Sequence, residues 1–195
     1  MKKMLSRRLL PGLGLVIAVA ACEDETEPGN ELTVEESIAL VKGVGALLAD
    51  TTIIPIHVSE DSIVVACPAG GRAKLVGAVI EEPGDTAVLG LDYLITPTGC
   101  VVTGDALEFT LGGDPALRYQ LRVEIVGLLE HFDVSGMITG GLSWQLEDRS
   151  GGCEIALTLA AVPDLATQTL VGTYSGTLCG HEVEIDAADL LVVDL

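Results

Sequence analysis

The sequence predicts a mainly β fold: a curved antiparallel meander, barrel-like or sandwich, with one N-terminal helix at about residues 34–49. Three observations predict it. After residue 50 apolar and polar residues alternate along short runs, the period of a half-buried strand. Clusters of Gly, Pro, Asp and Glu separate those runs at near-regular spacing, as β-turns require. Glycine is abundant, with 23 residues in 195, which eases the bends and bulges of a strongly curved sheet.

The elements follow in order. Thr33-Val34-Glu35-Glu36 has the form of a capping box, in which Thr33 accepts from the Glu36 amide. Val34, Ile38, Val41, Val44 and Leu48 then recur at helical spacing. Gly43 and Gly45 weaken the second half by about 1 kcal/mol each. The expected role of this helix is to cover an apolar face or edge of the sheet. Strands are expected at 51–57, 62–67, 73–80, 86–95, 100–103, 106–111 and 117–125, then at 132–139, 142–146, 153–161, 169–175 and 182–185. The clearest is 117–125, where Leu117, Tyr119, Leu121, Val123 and Ile125 point one way and Arg118, Gln120, Arg122 and Glu124 the other. Glu81-Glu82-Pro83-Gly84-Asp85, Gly140-Gly141, Ser150-Gly151-Gly152 and Pro163-Asp164 read as separators. The apolar tail 187–195 reads as a last strand or an irregular end.

Four cysteines beyond Cys22, namely Cys67, Cys100, Cys153 and Cys179, read as two disulfides in an exported chain. Cys67–Cys100 and Cys153–Cys179 are the preferred pairs, because each joins neighbouring strands in this order. No CxxC spacing suggests a metal site.

The N-terminus differs from all that follows. Lys2, Lys3, Arg7 and Arg8 precede an apolar stretch at 9–21, and Val19-Ala20-Ala21-Cys22 gives way to Glu23-Asp24-Glu25-Thr26-Glu27. A basic head, a short apolar core and small residues before a cleavage point form a secretory signal. The core is far shorter than the roughly 20 residues of a spanning helix. The tetrapeptide ending at Cys22 resembles the bacterial lipobox, and the resemblance implies a lipoprotein: lipidation at Cys22 and a mature chain starting there. Ser6-Arg7-Arg8-Leu9-Leu10 loosely resembles a twin-arginine export signal. The acidic run after Cys22 is similar to tethers that route some lipoproteins to the cell surface; its plainer reading is a self-repelling linker. The expected organisation is a signal peptide at 1–21, an acidic tether at 22–32 and one β-rich domain at 33–195. The expected location is the bacterial cell envelope, lipid-anchored, at the outer membrane or cell surface rather than the inner membrane.

The balance of charge narrows the partners. The chain has 10 Lys+Arg against 29 Asp+Glu, and four of those cations belong to the signal. The remaining acidic field repels phosphate backbones, so no nucleic acid is expected as a partner. It favours cations or basic proteins.

Catalytic patterns are sparse. His131-Phe132-Asp133 opens one strand and His181-Glu182 another, so His131, Asp133, His181 and Glu182 are the candidate acid–base residues, drawn from separate strands. The sequence has no Gly-x-Ser-x-Gly elbow, no His-Glu-x-x-His and no Walker loop. Glycine-rich 67–74 carries Arg72 and Lys74 and reads as a hairpin loop, with an anion nest as the alternative. Acidic pairs at Glu60-Asp61, Glu81-Glu82 and Glu147-Asp148 lack a calcium-loop spacing. The expectation is a non-enzymatic envelope lipoprotein with a scaffold or binding domain, without cofactor or metal. Its partners would be the membrane through the anchor and an envelope protein or small apolar ligand. The alternatives are a hydrolase-like envelope enzyme and an apolar-ligand carrier.

Overall fold

The alternation of the chain is realised as one antiparallel sheet. A computed structural model of the protein describes residues 30–51, 62–84, 86–113, 115–126, 131–164 and 169–190. The proposed signal, Cys22, most of the acidic tether, the expected strand at 51–57 after its first residue, and 191–195 lie outside the described residues.

The elements are helix α1 (Val34–Thr51), strands β1 (Ile63–Ala66), β2 (Arg72–Glu82), β3 (Thr86–Gly104), β4 (Leu107–Gly112), β5 (Leu117–Val126), β6 (His131–Leu146), β7 (Arg149–Asp164), β8 (Thr169–Leu178) and β9 (His181–Asp186), and helix α2 (Ala187–Leu190). All nine described strands belong to one sheet, so the architecture is barrel-like and not a sandwich. The order is β1-β2-β3-β4-β6-β7-β8-β9, and β5 also pairs with β3 and β6, which closes a circuit of pairings. Register explains the circuit. β4 pairs with β3 from Thr98 to Gly104 and β5 pairs with it from Thr86 to Ile95, so the two lie in tandem between β3 and β6.

Several expected boundaries dissolve. The segments 86–95 and 100–103 are one strand. Pro97 is tolerated inside it because its carbonyl accepts from Gly113, 2.9 Å away, and its absent N–H therefore faces the break between β4 and β5. A register shift between Thr98 and Cys100 absorbs the irregularity. Gly140-Gly141 likewise interrupts nothing in β6, and Ser150-Gly151-Gly152 lies inside β7, whose turn is Glu147-Asp148. Pro163-Asp164 is not a separator outside the strand but the paired end of β7, opposite Leu170 and Thr169. Thr51 closes α1 and does not begin a strand, and 187–190 is a short helix capped by Asp186, whose Oδ1 accepts from the Ala188 amide at 2.9 Å.

The capping box forms as the sequence requires. Thr33 N donates to Glu36 Oε2 at 2.9 Å, and Glu36 N donates to Thr33 Oγ1 at 3.2 Å. The helix does more than cover the sheet. Residues 37, 39–41, 43–45, 47 and 48 are mostly buried. At about 100° per residue those positions occupy about 240° of the circumference. An amphipathic stripe on a covering helix needs only about 100°. The helix therefore lies in the hollow of the sheet, chiefly against β3, with β4, β9 and α2 also touching it. Glycine permits this closeness. A Cβ at Gly104 would fall 1.8 Å from the Ala39 carbonyl oxygen. Val34, the first residue of the expected stripe, is exposed.

The inner face of the sheet completes the core with Leu75, Ile95, Phe109, Leu117, Leu142 and Leu157. Tyr93, Tyr119 and Tyr174, the chain's three tyrosines, are also buried there. Burial pushes the Tyr119 hydroxyl up to about 12. It raises Tyr174 as well, and Tyr174's hydroxyl has no partner of good hydrogen-bond geometry among the described residues although Tyr119 stands beside it.

The strand directions give the molecule two unlike ends. Tight turns at Asp105-Ala106, Glu147-Asp148 and Cys179-Gly180 share one end with the β1–β2 turn. Both disulfides lie toward this end: Cys67–Cys100, with Cα atoms 5.5 Å apart, and Cys153–Cys179, with Cα atoms 4.4 Å apart. These are the preferred pairs, with one correction. Cys67–Cys100 does not join neighbouring strands; it crosses from the β1–β2 turn over β2 to β3. Lys42 adds a clasp at the same end, reaching Asp105 at 3.2 Å and Asp189 at 3.3 Å.

Candidate functional site

The acid–base candidates do not converge. His181 opens β9, and register runs from it through Leu178 and Ile155 to Gly140 on β6. Asp133 lies seven residues from Gly140 on β6, about 23 Å at about 3.3 Å per residue. His131 opens β6 opposite Val126, at the end away from His181; its side chain lies outside the described residues. Glu182 is exposed on the other face of β9 from His181 and accepts from Thr177 Oγ1 at 3.1 Å. Strand register thus keeps His181 and Asp133 apart.

His181 instead helps to seat the incoming chain. Its Nε2 is 2.9 Å from the Leu32 carbonyl, and Leu32 itself is buried. Arg149, in the strand after the β6–β7 turn, pairs with Glu36 and reaches the Glu31 carbonyl at 3.5 Å. That guanidinium holds the Glu36 carboxyl below the usual carboxylate range against the opposing effect of burial. The polypeptide therefore joins the body at the tight-turn end.

The loop at 67–74 is not an anion nest. The amides of Cys67, Ala69 and Gly70 donate to the carbonyls of Gly71, Val101 and Cys67, each at 3.2 Å, so they are already occupied. Gly71 is needed there at φ +75°, and a Cβ on it would fall 1.8 Å from the Gly99 oxygen. Among the described residues no group of three or more His, Cys, Asp or Glu is placed to hold a metal, and no helix is long and apolar enough to cross a membrane.

Composition and alternation did not single out what the outer face of the sheet carries. On β2, β3, β5 and β6 the cross-strand rows run Val76–Leu94–Arg118–Thr139, Ala78–Asp92–Gln120–Met137 and Ile80–Gly90–Arg122–Ser135. Gly90 makes the third row low between Ile80 and Arg122, and Ile80 leans over it: a Cβ there would fall 3.3 Å from Ile80 Cβ. Two adjoining depressions of about 330 and 420 Å³ meet at Ile80 and Asp92 and make an open groove across this face. Its walls are apolar. Val76 and Met137 are each 41% exposed, and Ile80 and Leu94 each 45%. Its floor is polar and ordered. Arg118 donates to both Asp92 oxygens, at 2.9 and 2.7 Å, and Gln120 Nε2 donates to Asp92 at 3.2 Å. The Arg118 guanidinium keeps the Asp92 carboxyl ionised to lower pH than an ordinary aspartate, despite its partial burial. Arg122 Nε lies 2.7 Å from Glu124. A fixed fork of charge between exposed aliphatic walls can hold a ligand by shape and by exchange of ion pairs. Among the described residues, nothing in the groove supplies a nucleophile with an adjacent base. The available sequence signal was the 117–125 alternation, which placed Arg118, Gln120 and Arg122 on one wet face; that β2 and β3 would bring aliphatic residues beside them depended on register.

The chain matches no protein-family model, no curated protein and no solved structure.

Proposed function

We propose that the protein is a non-enzymatic bacterial envelope lipoprotein, anchored through Cys22, whose β body is a binding module. The observation that carries the binding role is the outer-face groove: contiguous exposed aliphatic walls around an ordered arginine–aspartate–glutamine network. The anchor reading rests on the resemblance of residues 19–22 to a lipobox, and two disulfides agree with an exported chain. The contacts of His181 with the Leu32 carbonyl and of Arg149 with the Glu31 carbonyl give the tether a fixed point of attachment. From Cys22 to Asn30 is eight residues, a reach of at most about 28 Å. The tight-turn end then faces the membrane, at the outer membrane or cell surface, and the groove lies on a side wall of the body.

Intact-mass spectrometry of the protein from its native membranes tests the anchor. The expected result is a chain beginning at Cys22 and carrying acyl groups, with detergent-phase partitioning lost in Cys22→Ser. A chain that keeps residues 1–21, or one with an unmodified thiol at Cys22, overturns it.

A further inference from the structure

Charge is unevenly placed on this acidic molecule, and its cations gather on one surface. After the four of the N-terminal head, six Lys and Arg remain. Lys42 and Arg149 hold α1 and the incoming chain. The other four, Arg72, Lys74, Arg118 and Arg122, all project from the outer faces of β2 and β5; Arg118 and Arg122 pair with Asp92 and Glu124 on that face, so Arg72 and Lys74 make one end of it positive while Glu82, Glu124 and Asp133 make the other end acidic. Arg72 and Lys74 are exposed and continue the groove beyond Val76 along β2. By contrast the outer face of β9, at the far edge of the sheet, carries Glu182, Glu184 and Asp186.

We infer that the groove is a docking surface for an acidic, aliphatic segment of a partner protein, bound in extended conformation. This deepens the binding role proposed above. Val76, Leu94, Ile80 and Met137 offer contact to alternate aliphatic side chains. Lys74 and Arg72 offer positive charge, and Arg122 can exchange Glu124 for a carboxylate of the partner. The dimensions suit such a segment. From Lys74 to Ile80 is about 20 Å along the strand, and from β2 to β6 about 14 Å across, at about 3.3 Å per residue and about 4.8 Å per strand. Five or six extended residues span that distance. The openness of the groove favours a peptide over a small molecule, which ordinarily needs a concave pocket that encloses most of its surface. Positive charge at the Arg72–Lys74 end and the acids Glu82, Glu124 and Asp133 at the other end direct the carboxylates of such a segment to the Lys74 end and so supply its register. The overall charge alone pointed to basic partners; Arg72 and Lys74 reverse that at one end of this face.

The test uses the native full chain in neutral detergent micelles, whatever its N-terminal modification, and a fluorescein-labelled hexapeptide alternating glutamate with leucine. Fluorescence anisotropy should show saturable binding that weakens as salt rises. The same peptide with lysine for glutamate should bind at least tenfold more weakly. Lys74→Glu combined with Arg122→Glu should cost the acidic peptide tenfold or more in affinity. Gly90→Val, which fills the dip without changing charge, should cost about fivefold; circular dichroism and intact disulfides establish that each variant is folded. Equal binding of both peptides, no effect of either variant, or no binding of the acidic peptide at millimolar concentration overturns the inference. Binding of phosphatidylglycerol vesicles to this face in place of the peptide overturns it in favour of a lipid surface. The anchor is read by mass and the groove by anisotropy, so either can fail without the other.

Discussion

Replacing Gly104 with alanine tests whether α1 is embedded in the sheet. In a strand, alanine is ordinarily more favourable than glycine by about 0.5–1 kcal/mol, because the unfolded chain loses freedom. If α1 merely rested on the sheet, Gly104→Ala would stabilise the protein by that amount. Here the new Cβ would stand 1.8 Å from the Ala39 oxygen, 2.8 Å from the Ala39 carbonyl carbon and 3.0 Å from the Gly43 nitrogen. All three atoms are helix backbone, and the helix is wedged on about 240° of its surface, so no rotamer relieves the contact. Overpacking of this kind costs about 1–3 kcal/mol and sometimes more. Set against the backbone gain, the net expectation is a loss of about 2 kcal/mol, or about 4–8 °C in Tm for a chain of this size. Trp144, the only tryptophan and a buried one, reports the transition by fluorescence. Gly152→Ala is the control: its Cβ would meet nothing within 4 Å, so that variant should equal or exceed the parent. A Gly104→Ala protein as stable as the parent, or more so, would refute the embedded helix.

Other outcomes follow from the same structure. Removing Cys67–Cys100 or Cys153–Cys179 by paired alanine substitution should each lower stability by about 3.5 kcal/mol on the chain-entropy estimate, read from denaturant midpoints; a loss under about 1 kcal/mol for either would contradict it. Tyr174→Phe removes a buried hydroxyl without a well-formed partner, so its Tm should stay within about 3 °C of the parent or rise, equivalent to about 1 kcal/mol. The Glu36–Arg149 pair sets a pH dependence. Glu36 titrates below its unfolded value, so its contribution is present above about pH 4.5 and is lost as the pH falls through the folded value. The difference in unfolding midpoint between the parent and Arg149→Ala should therefore shrink between pH 7 and pH 3; a constant difference would assign Arg149 a role other than holding this carboxylate.

What was legible in the sequence was local. The capping box at Thr33 and Glu36 and the alternation at 117–125 depend on neighbours a few residues apart, and they formed. Cys153–Cys179 was legible because its cysteines fall close to the ends of neighbouring strands; Cys67–Cys100 depends on the β1–β2 turn reaching β3 beyond the start of β2. Illegible were features set by partners distant in the chain. Pro97 and Gly140 look like stops when only their own propensity is weighed, yet a gap in the facing row or a long curved neighbour lets the strand continue. Val34 fits the helical period but emerges at the rim of the hollow, while Gly43 and Gly45, weak helix formers, sit where the helix passes close to other residues. For the candidate site, His181 and Asp133 could be linked only by ignoring register. The groove was hidden for the same reason: Arg118 and Arg122 were visible as a wet face, but Ile80, Leu94 and Met137 join them only through pairings across β2, β3, β5 and β6.

The contrast between the two ends of the sheet has a consequence for anyone who would build on this scaffold. At the end where the chain arrives, hairpins close in two residues, as at Glu147-Asp148 and Cys179-Gly180, and sulfur bridges fasten their surroundings. A graft there would have to reshape a turn whose first residue already adopts a left-handed backbone, φ +55° at Glu147 and +49° at Cys179. At the other pole β5 ends at Val126 and β6 begins at His131, and β7 ends at Asp164 and β8 begins at Thr169. Foreign epitopes spliced between those strand ends would leave both disulfides and the tight turns of the other end untouched.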